Sequence, residues 1–171
     1  MDITTHEIQP SSESVLPGII ELLKLAIYNP ASKINVTLSD KIKALIIQLI
    51  ETNPSLFKEI NALLLNIIKD GKIDAVDVPD FIKLLQKLYE VVHNSKDIKL
   101  SKTELADSCG IVVKFVIHTL IEEDYIKIQA ERKVEFLTEI DILIDTCISL
   151  IKLSTTLKSP SCLKQLLNKK K

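Results

Sequence analysis

At 171 residues and a net charge of −1, the chain suits one domain with at most a small appendage, and as a whole it is no electrostatic match for nucleic acid or an anionic membrane. Hydrophobic residues make up 46% but aromatic ones only 4%, with no Trp, so the core has to be built from Leu, Ile and Val. Cys109, Cys147 and Cys162 are scattered and form no CxxC pair, which argues against a disulfide framework or zinc site and for a reducing, intracellular setting.

Taken in order, residues 1–13 are rich in Ser, Thr and Pro and read as a flexible tail without secretory-signal features. The first helix is predicted with Ser14 as cap and Pro17 in its first turn, carries Leu16, Ile19, Ile20, Leu23 and Ile27 on one face, and ends before Asn29-Pro30. The second runs from about Ser39 to Glu51, with Ile42, Leu45, Ile46, Leu49 and Ile50 in helical phase. Asn53 is the expected cap of the third helix, with Pro54 at its first position.

Leu56 to Val92 then reads as helix, acidic turn, helix: an αα-hairpin whose apolar faces close on each other. Gly71 falls where the first of these helices must stop and is expected to take the left-handed conformation. Asp74 lies in the turn, Asp77 is expected to cap the second helix through its carboxylate, and Pro79 suits the first turn, where no N–H is needed. The run Asp70-Gly71-Lys72-Ile73-Asp74 also resembles the middle of an EF-hand loop. That register puts apolar Ile68 at the third ligand position, so helix capping is the preferred reading and no cofactor or metal is expected.

Residues 14–93 therefore form a four-helix subdomain, with the polar stretch 94–100 as its boundary. Ser101-Lys102-Thr103-Glu104 is a capping box opening a second, helical subdomain over 101–157. A short helix to Cys109, a turn at Gly110 and a second helix follow. Residues 125–137 alternate roughly as a small β-hairpin would, although Ala130, Glu131, Arg132 and Lys133 are good helix formers, and both readings stay open. Thr138 is expected to cap a long helix from Glu139 to about Leu157, and residues 158–171 to form a short helix and basic tail. The fold class is thus mainly α, a bundle of about six to seven helices. No apolar run reaches the roughly 18 to 20 uncharged residues of a transmembrane segment.

The segment from Ser101 to Leu137 loosely resembles the helix-turn-helix and wing of winged-helix domains. Its second helix offers only Lys114, His118 and Thr119 among apolar residues, so this shape would serve protein contact better than DNA readout. His6, His93 and His118 lack metal-ligand spacing, Glu122-Glu123-Asp124 reads as a solvated helix end, and three glycines are too few for a phosphate loop. Lys164, Lys169, Lys170 and Lys171 form a contact tail or simply a solubilising end.

Of 22 basic residues only Arg132 is arginine, a usage typical of AT-rich coding. That composition, with the stretch IIKDGKIDAVDVPDFIKLLQKLYEVV, resembles small helical virion proteins of large icosahedral double-stranded DNA viruses. The resemblance implies a minor capsid or capsid-associated role in the virion or host cytoplasm, with function residing in surfaces. The expectation is a non-enzymatic structural protein that binds protein partners, other capsid proteins or itself; the alternative is a winged-helix-like nucleic-acid-associated or regulatory adaptor. The long late helix supports the former, because Ile142, Leu150 and Leu153 lie away from the stripe that a single packed face would cover.

Overall fold

The computed structural model describes residues 12–29 and 33–156, and these form six helices: α1 Ser12–Tyr28, α2 Asp40–Thr52, α3 Ser55–Asp70, α4 Val78–His93, α5 Lys102–Glu122 and α6 Ala130–Thr156. The architecture is a helical bundle, and among the described residues there is no strand.

The arrangement follows from how the apolar residues are distributed. α2, α3 and α4 each carry one apolar face and bury it, through Leu45 and Leu49, Phe57 and Leu64, and Phe81 and Leu88 respectively. α5 is apolar on every side. From Leu105 to Ile121 only Asp107 is exposed, and a helix of that kind is stable only when surrounded. Accordingly α5 packs against α1, α2, α3, α4 and α6, and the other five form its jacket. The core is aliphatic as the composition demands, with Phe57, Phe81 and Phe115 its largest buried side chains.

One correction concerns this central helix. The winged-helix reading fails because Gly110 makes no turn: it lies inside a continuous 21-residue helix. Its role is close approach, since a Cβ there would come within 2.9 Å of Ile148 Cγ1 on α6. Residues 94–100 form a loop between α4 and α5, and the helices on its two sides contribute to one hydrophobic core.

The structure decides between the two readings of 125–137. Tyr125 to Gln129 is a loop and α6 begins at Ala130, so the helix propensity of Ala130 to Lys133 prevails over the alternation that suggested a hairpin. Thr138 is inside α6 and not at its start, and its hydroxyl donates to the Val134 carbonyl at 2.8 Å. Similarly, α1 begins at Ser12, which places Pro17 within the helix and leaves one intrahelical bond unmade. The expected last helix, the tail 1–11, His6, Cys162 and the lysines at 164 and 169–171 lie outside the described residues.

Candidate interaction surface

The α3–α4 turn is built as the glycine signal implied and capped differently from the aspartate signal. Gly71 has φ 78°, and its N–H donates to the carbonyls of Ile67 and Ile68 at 3.0 and 3.1 Å, closing α3. Asp77 makes no side-chain cap on α4. Its Oδ2 accepts the N–H of Asp74 behind it at 2.9 Å, while Asp74 Oδ1 accepts from Val76 at 2.9 Å. The carboxylates thus tie the loop to itself, and Pro79 occupies the first turn of α4, where the missing donor costs nothing. Ile68, at the third position of the EF-hand register, packs against the core. Asn53 likewise ends α2 through its N–H to the Leu49 carbonyl at 2.8 Å, and its side chain bonds Thr52 instead of capping α3.

At the start of α5 the capping box is present as expected. The Ser101 N–H donates to Glu104 Oε2 at 3.0 Å and the Glu104 N–H to Ser101 Oγ at 3.3 Å. The backbone bond from Ser101, then its side chain, then Lys41 hold the Glu104 carboxyl below the usual carboxylate range. At the other end of α5 the acidic run is a helix terminus: Asp124 adopts φ 54°, which a short polar side chain tolerates, and sits 3.5 Å from Lys133.

The polar side chains of α5 reveal an arrangement that was not anticipated from the sequence. Asp107 meets Lys152 at 2.5 Å, Lys114 meets Asp145 at 2.7 Å, and His118 Nε2 donates to Asp141 Oδ1 at 2.8 Å. Each step along α5, seven residues and then four, is matched by an equal step backwards along α6, so the three pairs form a ladder that sets the antiparallel register of the two helices. His118 is buried, and Asp141 satisfies its ring N–H. The mirrored spacing of 107, 114, 118 and 141, 145, 152 is the signal that could have found it, once both segments were taken as single helices.

Cys109 and Cys147 are buried; burial pushes the Cys109 thiol up to about 12 and the Cys147 thiol to about 11, so both remain protonated and inert. Among the described residues, no three His, Cys, Asp or Glu side chains are grouped to hold a metal ion. Nor is any helix among them long and apolar enough to cross a membrane. A cleft of about 430 Å³ lies between α2, the end of α4 and the 94–100 loop, crossed by Gln48, which donates to Ser95 Oγ at 2.9 Å.

What does stand out is the outer surface. Ile142 is 62% exposed and Leu153 53% on α6, with Val134 exposed at its start; Leu25 and Tyr28 are exposed on α1. Leu150, the third residue placed off the packed stripe of α6, is partly buried against the core. The α1 residues flank a shallow groove of about 410 Å³ that also includes Pro17 and Ile20. No family model, curated protein or solved structure matches the chain.

Proposed function

We propose that this chain is a non-enzymatic structural protein acting through protein–protein contacts, a minor capsid or capsid-associated component of a large DNA virus found in the virion or host cytoplasm. The observation that carries the contact part is the outer face of α6, where Ile142 and Leu153 stand in water although the helix already buries Ile140, Ile144, Cys147 and Ile151 against α4 and α5. Large aliphatic groups left exposed on a helix whose other side is fully packed are what a partner's surface covers. The viral part rests on the resemblance of the α3–α4 segment and on the lysine- and isoleucine-rich, nearly arginine-free composition.

The protein-contact reading is preferred over a nucleic-acid-associated adaptor because α5, the helix such a reader would present to a groove, packs against the five other helices. Two measurements test the proposal. Mass spectrometry of purified particles from the source of the gene should find the chain at structural stoichiometry; its absence there overturns the capsid assignment. Sedimentation with duplex DNA at low and moderate salt should leave the chain's profile unchanged. Salt-sensitive co-sedimentation that disappears when Lys164 and Lys169 to Lys171 are neutralised would instead establish the adaptor reading.

A further inference from the structure

Residues 33–39, which read KINVTLS, lead into α2 as a lone extended segment. Ser39 has φ −73° and ψ 162°, and burial alternates residue by residue: Ile34, Val36 and Leu38 pack against the core, while Lys33, Asn35, Thr37 and Ser39 are exposed. A period of two is the mark of a strand. A strand ordinarily pairs its main chain with a neighbour, and this one does not: among the described residues, Asn35, Val36, Thr37 and Leu38 make no hydrogen bond. None of the four is buried, so their N–H and C=O groups face solvent as an open strand edge.

What completes such an edge is another extended main chain, because that is what repeats donors and acceptors at the strand spacing. The segment's own sequence indicates which chain. Turned antiparallel about Val36, a second copy sets Val36 opposite Val36 and Ile34 opposite Leu38 on the inner face, with Asn35 opposite Thr37 on the outer one. Lys33, the one charge in the segment, then lies opposite Ser39, so no like charges meet. We propose that two copies of this chain associate about a two-fold axis by pairing their 33–39 segments as antiparallel strands. In that register Asn35 and Thr37 exchange main-chain hydrogen bonds with the second copy's Thr37 and Asn35, while Val36 and Leu38 point theirs to the other edge and the main chain of Ile34 is not used. The contact is isologous, as closed dimers are. Two strands this short are marginal in water and fall below a standard interface, so the association is concentration-dependent.

This inference concerns a different surface from the α6 face that carries the protein-contact reading and does not depend on it. Sedimentation equilibrium of the full chain, from micromolar to near-millimolar and under reducing conditions that prevent disulfide dimers, should show a monomer–dimer equilibrium. Amide hydrogen exchange should slow at Asn35 and Thr37 as concentration rises, and not at Val36 and Leu38. Thr37→Pro removes a pairing donor at an exposed position whose preceding residue is already extended, so it should weaken dimerisation at least about tenfold while circular dichroism confirms intact helices. Thr37→Ala, which keeps the N–H, and Ile142→Glu, on α6, should both dimerise like the wild type. A concentration-independent monomer overturns the inference. So does a dimer that Ile142→Glu dissociates and Thr37→Pro does not, or one that Thr37→Ala weakens as much as Thr37→Pro, which would make the contact one of side chains. Protection of Asn35 and Thr37 that does not vary with concentration also overturns it, because the edge is then covered within one chain. None of these outcomes affects the particle and DNA measurements on which the wider proposal stands.

Discussion

α5 and α6 are the two longest helices, both rich in Ile, Leu and Val, and they lie against each other, yet only one is finished by the fold. α5 touches every other helix and buries all its large apolar side chains but the partly buried Ile111; α6 packs on α4 and α5 and leaves Val134, Ile142 and Leu153 exposed. Between Leu105 and Ile121 α5 is charged only at Asp107 and Lys114, whereas α6 is charged at eight positions from Glu131 to Lys152. The number of neighbours follows that difference, and the lesson is that aliphatic surface becomes core or interface according to where the helix sits. The polar ladder refines the point: Lys114 and His118 of α5 meet acids on α6, while buried Thr119 returns its hydroxyl to the Phe115 carbonyl of its own helix.

The largest expected effect sets two neighbouring isoleucines of α6 against each other. Ile144 is fully buried and Ile142 is 62% exposed, so Ile144→Ala should cost about 2 to 5 kcal/mol in denaturant unfolding of the dilute chain and Ile142→Ala less than about 0.5 kcal/mol. Similar losses at the two sites would show that the outer face is covered within the chain itself. Next is the ladder. Asp141→Ala leaves the buried His118 ring N–H without its acceptor and should cost roughly 1 to 3 kcal/mol, a loss that His118→Leu in the same background should largely recover. A single substitution as mild as a surface change would mean that the ladder only decorates the α5–α6 contact.

Away from both helices, Gly71→Val should cost about 1 to 2 kcal/mol. The left-handed φ of 78° strains a β-branched residue although there is open space around the position. An unchanged melting temperature would refute strain as the reason for the glycine. The smallest effect is at the entrance to α5. Because the capping bonds lower the Glu104 carboxyl in the folded chain, their contribution is complete above the unfolded carboxylate range and is lost as pH falls through the folded value. Melting curves of the wild-type chain and Glu104→Gln should therefore differ at neutral pH and converge in acid; a constant gap would show that the carboxylate charge plays no part.

Much of the fold was legible because helices write their own boundaries. Ser39, Gly71 and the Ser101–Glu104 box each act locally, bonding groups within a few residues of themselves, and the apolar phases of α2, α3 and α4 predicted the faces that are buried. Reading failed where a residue's local tendency competed with distant packing. Gly110 carries the usual mark of a turn, but its meaning comes from Ile148, 38 residues away, which needs the space a side chain would fill. Asp77 has the chemistry of a cap, but its carboxylate bonds backwards to Asp74 in the loop. The hairpin pattern of 125–137 was displaced by a helix that continues into the packed part of α6.

By itself, then, the sequence determined helix boundaries at Ser39, Gly71 and Ser101, the aliphatic character of the core and the mainly helical class, since each follows from backbone hydrogen bonds and apolar periodicity within a single segment. Only the tertiary structure decided which helices surround α5, that His118 and Lys114 find their acids on α6, and that Ile142 and Leu153 remain outside. These depend on how many helices surround each one, and that number is a property of the assembled bundle which no window of the chain contains.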